Sequence, residues 1–120
     1  VKSKWIEYQG KRILHAAYNG FDRDMDIFQT EVDAVTQAIT AEPESSVRLL
    51  VDVRGTPGTP EIMNILYASA KACNPYMIAT AVVGVDGFRR VLMRSVTRIT
   101  GMPLTAIETI DQAKDWLVNQ

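Results

Sequence analysis

Two stretches of this chain are apolar on both of their faces. VRLLVDV (47–53) is interrupted only by Arg48 and Asp52, and MIATAVVGV (77–85) carries no charge at all. A strand with one wet face alternates apolar and polar residues, whereas a strand without that alternation has to be covered on both sides. Two such strands, separated by a segment long enough for a helix, read as parallel neighbours inside a sheet with helices packed above and below.

The remaining segments fit around that centre. KWIEYQ (4–9) and RILHAAY (12–18) read as two strands joined by a tight turn at Gly10-Lys11. Asn19-Gly20 breaks the pattern, and a helical period follows from Asp22, with Phe28, Val32, Val35 and Ile39 on one face and Pro43 closing it downstream. A second helix is expected over 60–73, with Ile62, Ile65, Leu66, Ser69, Ala70 and Cys73 inward. A third is expected over 88–100, with Phe88, Leu92, Val96 and Ile99 buried and Gly101 and Pro103 ending it. LTAIE (104–108) reads as a short strand, and DQAKDWLV (111–118) as a last helix with Asp111 as its N-cap. The order β-β-α-β-α-β-α-β-α describes one α/β domain over 1–120. Its sheet is mixed and mostly parallel, of about five strands with an N-terminal antiparallel hairpin and four helices.

Composition removes several function classes. Thirteen Lys and Arg against fourteen Asp and Glu leave a net charge of -1, so no overall field draws the chain to nucleic acid. Cys73 is the single cysteine; no intramolecular disulfide can form, which fits a reducing, cytoplasmic setting. The apolar run at 77–85 is far short of the roughly 20 residues that span a bilayer, so no integral membrane segment is expected. The stretch VKSKWIEYQGKR lacks the apolar centre of a signal peptide.

The loop in LLVDVRGTPGTPE (49–61) admits two readings. In α/β sheets ligands gather beyond the carboxyl ends of strands, and a helix N-terminus offers free N–H groups to an anion. Asp52, Arg54, Thr56 and Thr59 then form a candidate anion or phosphorylation site, and a phosphate on Thr59 would lie at the helix start. In the other reading every residue has a structural task. Pro57-Gly58 suits the middle of a type II turn, Thr59 caps the helix, Pro60 is its first residue, and Glu61 complements its dipole. The loop lacks the phosphate-cradling G-x-x-x-x-G-K spacing.

Other constellations are weaker. The acids at 22, 24, 26, 31 and 33 suggest a calcium loop, but Ile27 stands where that loop needs Gly and Asp33 where it needs Glu. Acids in the first turn of a helix explain the run without a metal. His15 is the only histidine and no nucleophile pattern accompanies it; Cys73 lies on an apolar helix face. No catalytic set emerges, and no cofactor is called for. Arg90, Arg94 and Arg98 recur at i, i+4 and i+8, and no acid occurs between Asp86 and Glu108. That basic row serves either an anionic partner or simple solvation.

VRLLVDVRGT, then TPE opening a helix, then TAVVGVDGFRRVLMRSVTRITG and the closing AKDWL together resemble the SpoIIAA-like branch of the STAS superfamily. This is a set of small bacterial proteins also compared with the CRAL-TRIO lipid-binding fold. The resemblance runs from Ile13 to Leu117 and rests on order and pattern. It implies a layered β/α domain and a non-enzymatic regulatory or protein-interaction role, switched by phosphorylation at the helix start. Better-studied members carry an Asp-Ser pair there; this chain has Thr59-Pro60-Glu61, with Thr56 in the loop before it. The lipid-binding comparison implies an alternative, a carrier of a small apolar ligand or lipid. Its pocket would lie between sheet and helices, with Met63, Tyr67, Met77 and Met93 as wall residues and the basic helix alongside. The expected partner is therefore a protein or a small apolar molecule, and the strand edge at 4–9 leaves a homodimer open.

Overall fold

In the computed structural model, which describes residues 1–120, the strands lie side by side in the order in which they occur in the chain. They are β1 (Lys4–Tyr8), β2 (Lys11–Ala17), β3 (Val47–Asp52), β4 (Met77–Val83) and β5 (Thr105–Ile107). β1 runs antiparallel to β2, and every later pair is parallel. The helices are α1 (Met25–Thr40), α2 (Pro60–Cys73), α3 (Gly87–Thr100) and α4 (Ile110–Val118), with a short 3-10 turn at Asn74–Tyr76. The fold class is the mixed α/β sheet expected from the two doubly apolar strands.

Sequential strand order decides where the helices go. Right-handed crossovers that always step to the next strand on the same side put their helices on one face of the sheet. α1, α2 and α3 make those crossovers, and α4, which follows the last strand, packs on the opposite face. Two cores result. One gathers Leu14, Leu49, Val51 and Val82 against Phe28, Val35, Ile39 and Ile62. The other gathers Ile13, Leu50, Ala81 and Val83 against Ala113 and Leu117. Leu49 and Leu50 thus serve different cores, which is why β3 cannot alternate.

Local chemistry sets the boundaries. The hairpin turns on Gln9 and Gly10, both at positive φ (49° and 79°), so that Lys11 pairs with Tyr8. This is one residue earlier than the expected Gly10-Lys11 turn, because the two-residue turn matching strand twist needs positive φ at both centres. α1 begins at Met25 rather than Asp22, since the Asp24 carboxylate accepts from the backbone N–H of Asp26 and Ile27. Phe28 is fully buried and meets Tyr18 and Phe21 at ring-centroid distances of 5.8 and 4.6 Å. Burial of such a ring contributes about 1.5–3 kcal/mol. α4 is capped by Thr109, whose hydroxyl accepts from Gln112 N, and the expected cap Asp111 instead sits inside the first turn.

α3 departs most from expectation. Phe88 and Ile99, assigned to its buried face, are 69% and 58% exposed, and Val96 is the one residue of the helix that is buried. The helix packs on α2 and stands off the sheet, so its inner face is a narrow one of Arg89, Leu92, Met93 and Val96. A periodicity shared by two apolar stripes on one helix does not reveal which stripe turns inward.

Candidate functional site

The loop after β3 is largely occupied by its own contacts. The Arg54 guanidinium clasps Asp52, Nε donating to Oδ1 at 2.9 Å and Nη2 to Oδ2 at 2.7 Å, while Arg54 N donates to Oδ1 at 3.0 Å. Burial pushes the Asp52 carboxyl up, but these bonds and the cationic charge outweigh it and hold the group below its ordinary range. The turn itself spans Val53 to Thr56, closed by Thr56 N donating to Val53 O at 2.9 Å. Its positive φ falls at Gly55 (76°), not at Gly58, so the type II geometry belongs to Arg54-Gly55 rather than to Pro57-Gly58. Thr56 is 5% exposed and its hydroxyl donates to Tyr18 O at 3.0 Å, so this hydroxyl lies inside the protein. Thr59 is exposed, and its Oγ1 accepts from Ile62 N at 3.3 Å as the cap of α2. Of the two candidate threonines, only Thr59 offers a surface hydroxyl.

Above this loop lies a half-open apolar cavity of about 120 Å³, bounded by the α1–α3 face of the sheet and by the three helices on that side. Leu49, Val51 and Val82 form its floor; Val35 and Ile39 come from α1, Met63, Leu66 and Ala70 from α2, and Leu92, Met93 and Val96 from α3. Seventeen of its 23 lining residues are hydrophobic. It exists because α3 leans on α2 instead of on the strands. Met63 and Met93, two of the expected wall residues, line it; Tyr67 and Met77 do not.

The polar groups in the wall are few and nearly all are satisfied within the protein. The Thr56 hydroxyl is on Tyr18 O. Ser69 Oγ lies 2.6 Å from Thr36 Oγ1 and 4.0 Å from Cys73 Sγ. Arg89 donates to Thr56 O, Gly84 O and Asp86 Oδ2 at 3.2, 3.3 and 3.4 Å. Burial pushes the Tyr18 phenol well above its ordinary range, so it is a neutral hydroxyl at any physiological pH. Burial likewise raises the Cys73 thiol, which keeps it in its poorly nucleophilic form. Thr80 is the fully buried exception: it is 2% exposed, and its Oγ1 has no hydrogen-bond partner.

Thr80 and Arg89 were not visible as site residues in the sequence. The available signal for Thr80 was its position as the lone hydroxyl in the apolar run MIATAVVGV. Arg89 carried none, because its inward direction follows from the rotation of α3.

The other candidates lie apart from the cavity. His15 is on the α4 face of the sheet, sharing that side with Ile13 and Leu50, while Cys73 belongs to the α1–α3 core. The sheet separates the two, so they cannot act as a base and nucleophile pair. Asp52 shares the face of His15, and its charge partly opposes the burial that lowers the imidazole. The acids at 22–33 are employed structurally: Asp24 caps α1, Asp33 accepts from Gln29 Nε2, and the buried Glu31 accepts from the backbone N–H of Lys2 and Ser3. Arg90, Arg94 and Arg98 are exposed and form no ion pair. Beside them on α3 stand the exposed apolar side chains of Phe88, Val91 and Ile99. No helix is long and apolar enough to cross a membrane. No protein-family model and no curated protein matches the chain.

Proposed function

We propose that this protein is a non-enzymatic binding domain that holds a small apolar molecule in the cavity between its sheet and α3. The cavity itself carries this reading. A concave, mostly apolar recess with a few polar groups in its wall is the usual setting of a small-molecule site. An apolar cavity of about 150 Å³ in another protein admits benzene, so the occupant is of the size of one ring or a short branched chain. The pattern likeness to the lipid-binding comparison points the same way, although a long acyl chain exceeds this volume.

Benzene is the probe for this reading, followed through the methyl resonances of the methionines. Met63, Met93 and Met102 line the cavity and should shift saturably, while Met25 and Met77 lie outside it and serve as internal references. Ala70→Phe, which fills the cavity from α2, should abolish the shifts. Absence of any saturable shift in the unmodified protein would overturn the reading.

A second reading is the interaction module of the STAS kind, and the outer surface of α3 favours it. Phe88, Val91 and Ile99 beside three unpaired arginines suit an acidic, partly apolar protein partner. Thr59 is then the switch hydroxyl. For a partner once captured, Arg90→Gln with Arg94→Gln and Arg98→Gln should weaken binding and flatten its salt dependence; unchanged binding would sink this second reading.

A further inference from the structure

Thr80 sits in the middle of β4, where it is opposite Leu49 of β3. Its side chain belongs to the cavity face, because Ala79 and Ala81 on either side of it face the α4 core. A threonine on a helix has a local outlet for its hydroxyl, the carbonyl one turn back. Thr36, Thr40 and Thr100 all use it, donating to Val32 O, Thr36 O and Val96 O at 2.8, 2.9 and 2.6 Å. A strand provides no such outlet, since its carbonyls point along the sheet to the neighbouring strands. Thr80 Oγ1 accordingly has no partner, although the residue is 2% exposed. Valine would fill the same volume without an orphaned hydroxyl.

We infer that Thr80 is the polar recognition point of the cavity and that its occupant is a small uncharged molecule, about one ring in size, bearing a single hydrogen-bonding group. The inference rests on the apolar-ligand reading above and adds the chemistry of the ligand. A hydroxyl both donates and accepts, so Thr80 can meet an alcohol, a phenol or a carbonyl. Charge is disfavoured. The wall contains one charged residue, Arg89, which already donates to three protein acceptors. The remaining wall is apolar and offers an ion no counter-charge. Thr56, Ser69, Cys73 and Arg89 already have partners, which leaves the Thr80 hydroxyl, with the Tyr18 phenol elsewhere in the wall, to meet a polar group of the ligand.

Two isosteric pairs test this without identifying the natural ligand. Phenol and toluene differ by a hydroxyl for a methyl, as do threonine and valine. Dissociation constants for both probes are measured by titration with the unmodified protein and with Thr80→Val. The expected result is a loss of about tenfold in phenol affinity relative to toluene on going to valine, equivalent to about 1.4 kcal/mol of coupling. Thr80→Ser, which keeps the hydroxyl, should retain the preference for phenol. If both probes bind and Thr80→Val shifts them equally, the role of Thr80 is overturned and the apolar cavity stands. If neither probe binds the unmodified protein, both the role of Thr80 and the cavity reading fall.

Discussion

Leu92 of α3 rests directly on Gly58: a β-carbon at residue 58 would stand 2.2 Å from Leu92 Cδ1. This close approach seats α3 against the loop before α2 and closes the cavity at that end. Gly58→Ala should therefore force the tip of the Leu92 side chain aside and destabilise the fold by about 1 kcal/mol, the low end of overpacking because no backbone has to move. Leu92→Ala added to it should relieve the clash, so the double variant is less unstable than the two single effects predict. Urea unfolding of the four proteins measures the non-additivity; strict additivity would show that the contact carries no energy.

Thr80 makes the opposite kind of statement about stability. Its hydroxyl is buried without a hydrogen-bond partner. Thr80→Val should raise stability by about 1 kcal/mol, because removing an unsatisfied polar group removes its desolvation cost. A lower unfolding midpoint for this variant would mean that the hydroxyl is satisfied in solution.

Thr59 is the cap of α2, with Oγ1 3.3 Å from Ile62 N. Thr59→Ala should cost about 1 kcal/mol, and Thr59→Asp should recover most of it, since a carboxylate caps equally well and complements the helix dipole. Thermal unfolding distinguishes the three proteins. Equal melting temperatures would remove the structural role and leave the hydroxyl free for the switch reading.

His15 sets a pH dependence. Burial lowers its pKa from the ordinary 6.5, with Lys114, Lys4 and Arg54 adding to the effect and Asp52 opposing it. The imidazole is neutral in both folded and unfolded chains above about pH 7.5. As pH falls through the unfolded value, the unfolded chain takes up the proton first and stability declines until the folded pKa is reached. Asp52 and Glu31, both held below their ordinary values, keep their contributions until the pH drops below about 4. Denaturant midpoints between about pH 7.5 and 5 should fall for the unmodified protein and stay nearly flat for His15→Gln. A slope that survives the substitution would assign it to another group.

The layer architecture was legible because β3 and β4 lack alternation, and that pattern has one physical solution. α1 was legible because its buried face is wide and single: Phe28, Val32, Val35 and Ile39 are all within 2% of complete burial. α3 was not, because Phe88, Leu92 and Ile99 form one stripe in sequence while the inward direction is decided by how α3 meets α2 and Gly58. The loop was legible as a helix start, and Thr59 and Pro60 do occupy the cap and first position. The placement of the turn at Gly55 was not, since Gly55 and Gly58 are equally able to accept positive φ until packing chooses. The cavity has no sequence signature at all. It is a gap between elements, and Met63 and Met93 in its wall look like ordinary core residues.

The order of strands in the sheet also governs how the protein leaves the ribosome. Each parallel strand finds its neighbour as soon as the next crossover is complete, so the α1–α3 side can consolidate during synthesis. The other side cannot. Ile13, Leu50, Ala81 and Val83 have no cover until Ala113 and Leu117 arrive, and the Arg48 guanidinium has no Leu117 carbonyl to grip at 3.0 Å before then. A nascent chain halted before residue 110 would thus present a bare apolar sheet face to chaperones and proteases, and α4 ends that exposure.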